Sequence, residues 1–110
     1  MPTGPNPETG ARTETLTGHV VDIACIRKYP RDELLERARR HSRDCALMGH
    51  CIESGYGLVD DTGRVALLDH EATHRIVEVL PSAAERGARL RVERRERQGE
   101  MATLSVELIG

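Results

Sequence analysis

The chain has no Phe, no Trp and only two Tyr, so whatever core it forms has to be aliphatic. At 110 residues only a modest fraction of the unfolded surface can be buried. The apolar share of 38% falls below the about 45–50% of ordinary globular domains, and the charged share of 31% exceeds the usual quarter. Stability must then draw on something besides packing. No apolar run approaches the roughly 18 residues of a membrane span, and the N-terminus lacks a charged-then-apolar signal pattern, so a cytoplasmic protein is expected. Neither sign of charge dominates: 16 basic residues, all arginine but Lys28, face 18 acidic ones for a net −2. Polyanions and membrane surfaces are therefore disfavoured as general partners. The three cysteines cannot all pair within one chain, and in a reducing compartment Cys clustered with His points to metal ligation before disulfides.

What the chain does contain organises as one small domain. Residues 1–13 are rich in Pro and Gly without apolar periodicity and are expected to form a disordered leader, with a single domain over 14–110. The β-branched segment from Glu14 to Ile23 predicts a strand, with Gly18 a bulge or tight bend. Leu34, Leu35 and Ala38 after Pro30 predict a helix over 31–41. Two strands within 55–69 are joined at Asp60-Asp-Thr-Gly63. Asp69 is the expected N-cap of a helix carrying Ala72, Ile76, Val79 and Ala83 on one face, stopped by Pro81. Leu90 and Val92, then Leu104, Val106 and Leu108, alternate with polar residues as two half-buried strands. Five short strands with a helix between the third and fourth predict a mainly β, α+β fold: a five-stranded OB-like barrel with a helical Cys/His insertion over 24–54, after strand 1.

That insertion holds Cys25, His41, Cys45 and Cys51, spaced C-x15-H-x3-C-x5-C. His41 and Cys45, four apart, would project from one face of a helical turn, with Cys25 arriving from the strand end and Cys51 from the following loop. Three thiolates and one imidazole suit tetrahedral Zn²⁺ in a structural role, with copper or iron as sulfur-tolerant alternatives. Such a site would make metal-binding free energy part of the folding free energy. A Cys45–Cys51 disulfide and plain burial of small thiols are the competing readings.

The run from His41 to Cys51, followed by Ser54-Gly-Tyr-Gly57, resembles a signature H-x3-C-A-L-M-x2-C-x2-S-G-Y-G of small uncharacterised bacterial proteins. In them a G-x-V-x-D-x-x-C opening precedes it, matched here by Gly18-His-Val-Val-Asp22 and Cys25. The resemblance covers about residues 16–69 and implies that Cys25, His41, Cys45 and Cys51 act as one set. It implies no particular activity, and many of those relatives are exported.

Other residues carry secondary expectations. His50 competes with His41 for an imidazole position, while His19 and Asp22 are candidates for a further ligand or for orienting a ligating imidazole. His70 and His74, four apart, are a weaker metal pair expected to face solvent. Arg89, Arg91, Arg94 and Arg95 form a stripe that would serve a single-stranded nucleic-acid-binding barrel, but interleaved glutamates and scarce aromatics favour a salt-bridged strand. A thiol redox protein or a metalloenzyme with an open metal position is the third reading. Exposed strand edges allow a monomer or a homodimer.

Overall fold

The computed structural model describes residues 12–110, so all but the last two positions of the expected leader lie outside the described residues. Those two already belong to the sheet: the Glu96 N–H donates to the Arg12 carbonyl, and Thr13 pairs with Arg95. Five strands, β1 (Thr13–Asp22), β2 (Tyr56–Val59), β3 (Val65–Leu67), β4 (Arg89–Arg97) and β5 (Glu100–Leu108), form one sheet ordered β3-β2-β1-β4-β5. All four pairings are antiparallel. Four short helices lie between β1 and β2: α1 (Ile23–Lys28), α2 (Leu34–Arg40), α3 (Arg43–Ala46) and α4 (Gly49–Ser54). A fifth, α5 (His70–Val79), joins β3 to β4.

The sheet is open, which corrects the expectation of a barrel. β3 and β5 are its edges, and no ladder joins them among the described residues. β3 has three residues, too few to run along the nine of β5, and α5 packs against β5 instead. Side chains link the two sides: Arg94 Nη1 donates to the Leu67 carbonyl at 3.2 Å, and the Asp69 carboxylate accepts from the Thr103 N–H at 3.1 Å and from its hydroxyl. Asp69 therefore stands at the N-cap position of α5 without capping it, because its carboxylate is spent on β5.

β1 serves two partners, pairing with β4 over Thr13–His19 and with β2 over His19–Asp22. Gly18 lies in regular register opposite Leu90 and is no bulge. A Cβ there would stand 2.7 Å from the Val59 carbonyl oxygen, so the residue answers to close backbone approach. The irregularity falls elsewhere: between Glu93 and Arg94 the partner skips from Ser105 to Thr103. Leu104 is the extra residue and points outward at 45% exposure, against its expected inward alternation, while Thr103 is buried.

Alternation along the strands sends neighbours to opposite faces. Val20, Leu58, Leu90 and Val92 pack with Ala72, Ile76 and Leu80 of the α5 region, whereas Val21 and Val59 pack with Leu34 and Ala38 of α2. The first half of the helical excursion is thus held on the second face by a small cluster, whereas Ala46 of α3 and Ile52 of α4 join the main one. Buried Tyr56 adds one tie by donating its hydroxyl to the Ala46 carbonyl of α3. Tyr56→Phe is expected to lower the unfolding free energy by about 1–2 kcal/mol through that orphaned carbonyl, read as a lower urea midpoint at unchanged slope.

Candidate metal centre

The site starts where β1 stops. Asp22 has extended backbone angles and its Oδ2 accepts from the Cys25 N–H at 3.0 Å, which makes it the N-cap of α1 and sets Cys25 in the first turn beside it. His41 arrives from the other side of the excursion, one residue past the end of α2, with extended φ −61° and ψ 126°. Its backbone is held at both ends: its N–H reaches the Ala38 carbonyl at 3.4 Å, and the Gly87 N–H donates to its own carbonyl at 3.0 Å. The imidazole Nε2 then lies 3.0 Å from Asp22 Oδ1 and 4.0 Å from Cys25 Sγ. One carboxylate oxygen, one thiol sulfur and one imidazole nitrogen fall within 4.8 Å of one another.

Asp22 is fully buried, and its Oδ1 has no aligned hydrogen-bond donor despite the nearby ring nitrogen. Burial pushes the Asp22 carboxyl up, but the His41 imidazole and the Cys25 backbone N–H outweigh it and hold the group at about 2, below its ordinary 3.8. Burial and the Asp22 charge push the Cys25 thiol up to about 11. Burial, then Asp22, then Cys45 push Cys51 to about 12. At neutral pH both thiols are therefore protonated in the metal-free protein, and an ion bound by Cys25 would displace its proton.

A depressed carboxyl stabilises the fold above its unfolded pKa, and that stabilisation is lost as pH falls through the folded one. In metal-free protein Asp22 should account for on the order of 2 kcal/mol lost between about pH 4 and pH 2. Acid titration of stability checks this, with Asp22→Asn expected to flatten that limb.

The other sequence candidates are placed unevenly. Cys45 is not on one helical turn with His41: the chain is extended at His41, and Ser42 then caps α3 by accepting from the Cys45 N–H at 3.0 Å. Both residues nevertheless line one cavity of about 640 Å³ together with Cys25. Cys51 is buried in α4, near enough to Asp22 and Cys45 to feel their charge. All three cysteines are free thiols. His50 is exposed, and His19 engages the Gly87 carbonyl through Nδ1 at 2.9 Å. His70 and His74 are exposed and meet edge to face. In the arginine stripe, Arg91 pairs with Glu107 and Arg94 with Glu14, while Arg89 and Arg95 are partly buried.

Asp22, weighed from sequence as an accessory, is the residue on which the group converges. The readable signal was its position three before Cys25, the spacing of an N-cap and its N3 residue. Gly87 and Arg86, which border the site from the far end of the chain, carry no local signal at all. Comparison with family models, with curated proteins and with solved structures returns no match. Among the described residues no helix is long and apolar enough to cross a membrane.

Proposed function

We propose that this chain is a metal-binding protein in which Asp22, Cys25 and His41 hold one zinc-class ion. The observation that carries the reading is the sealed Asp22 carboxylate, with an oxygen lacking an aligned donor, converging with a thiol and an imidazole inside 4.8 Å. A mixed O, N and S donor set suits Zn²⁺. Copper(I) would favour more sulfur, and iron remains compatible with the ligands. The ion would join the end of β1, the first turn of α1 and the end of α2, three segments whose shared apolar cluster is small. Its role is to fasten the helical excursion to the sheet.

A second reading keeps the full set of Cys25, His41, Cys45 and Cys51. The nearness of Cys51 to the same carboxylate, and of Cys45 to both Cys25 and Cys51, favours it, and the signature resemblance points the same way. A nucleic-acid reading is weaker because Arg91 and Arg94 are already committed to glutamates. Elemental analysis of protein purified without added metal tests the proposal. One zinc per chain in wild type, lost in Cys25→Ser, is expected; wild-type protein that neither carries nor takes up a stoichiometric ion would overturn it.

A further inference from the structure

The donors of the centre are exposed unequally. Asp22 and Cys51 are sealed at 0% and 1%, whereas Cys25, His41 and Cys45 stand on the wall of the 640 Å³ cavity. A purely structural zinc site has a closed shell of four protein ligands and needs no cavity, while sites that work on a ligand keep one position for it. The volume falls in the range of small-molecule sites. A tetrahedral ion on the compact group would take three protein donors, and the fourth direction is available from the cavity side.

The cavity wall is chemically sorted. The Tyr29 ring supplies apolar surface over a floor closed by Val21 and Leu34, and the Arg37 guanidinium lies over that ring at 3.5 Å from its centroid. Arg37 pairs with Glu33 and Arg40 with Glu36. Asp32 and Arg86 make no ion pair within 4.0 Å among the described residues, and they are not equivalent. Asp32 belongs to the turn before α2, whereas His41 follows the far end of that seven-residue helix. Arg86 bridges by its backbone to Ser42, next to His41. The uncommitted cation therefore flanks the metal donors, and the uncommitted carboxylate sits at the opposite end.

We infer that the cavity is a binding site for a small organic carboxylate, which ligates the metal through one oxygen, pairs with Arg86, and rests its carbon chain against Tyr29. The inference rests on the metal reading above. Cys45 is the internal competitor for the same direction.

Cobalt(II)-loaded full-length protein titrated with butyrate tests it. Visible d–d bands that shift saturably with butyrate, persist in Cys45→Ser, and need about tenfold more butyrate in Arg86→Ala support the site. Butylamine, of similar chain length and opposite charge, should leave the bands unchanged. Cobalt bands insensitive to butyrate would overturn the carboxylate site while leaving the metal centre standing. Equal butyrate affinity in Arg86→Ala would overturn the assigned recognition. Failure of cobalt to give any d–d bands would remove both readings together.

Discussion

Zinc added to metal-free protein should raise its melting temperature by about 15 °C or more, and Cys25→Ser or His41→Ala should abolish that rise. A ligand that binds only the folded state, present at about a thousand times its dissociation constant, stabilises by about 4 kcal/mol. In a domain of this size each kcal/mol moves the midpoint by roughly 4–8 °C. The effect is large here because the ion would tie the β1 end and first turn of α1, through Asp22 and Cys25, to His41 beyond α2. Scanning calorimetry with added zinc, and again with a chelator, gives the comparison. Equal midpoints in the two conditions would contradict a structural ion.

Gly87→Ala should be the most damaging single methyl in the chain, costing about 3 kcal/mol or more. Two penalties combine. Gly87 has φ +67°, where an L side chain is strained by about 1 kcal/mol or more, and an added Cβ would stand 2.6 Å from the Arg39 carbonyl oxygen. That oxygen belongs to backbone, so relief requires the end of α2 and the 85–88 connection to separate. Their separation would break the Gly87 N–H bond to the His41 carbonyl and move the imidazole. Gly63→Ala is the control, since φ +84° there comes with nothing within 4 Å of the added carbon. It should cost only about 1 kcal/mol in urea unfolding and leave zinc affinity unchanged, whereas Gly87→Ala should weaken both. Matching losses for the two variants would show that the contact with α2 is unimportant.

Local pattern carried the elements well where the chain's own periodicity decides them. The Asp60 turn, the Ala72 and Ile76 face of α5, and the strands about Val20 and Leu90 could all be read directly. Closure could not, because it depends on the three-residue length of β3 and on α5 occupying the side of β5. Neither is a property of any one segment. Leu104 misled for a related reason: a bulge inverts the alternation beyond it, and no residue type announces it.

The site divides along the same line. Cys25 and His41 were legible from residue type and spacing. The assumption that His41 and Cys45 share a helical turn failed because Ser42 is a strong capping residue and the helix restarts there. Asp22 gained its central role only through burial, which brings its carboxylate beneath both donors. Arg86 and Gly87, more than forty residues beyond His41, join the site through one antiparallel bridge whose two hydrogen bonds run from the Gly87 N–H to the His41 carbonyl and from the Arg43 N–H to the Glu85 carbonyl.

X-ray absorption at the zinc edge tests the central claim most directly, because it counts sulfur atoms around the ion. The centre built on Asp22, Cys25 and His41 predicts one sulfur at about 2.3 Å, with the remaining ligands nitrogen and oxygen at about 2.0–2.2 Å. Three sulfurs per zinc would instead assign the ion to Cys25, Cys45 and Cys51, and a shell without sulfur would contradict the site altogether.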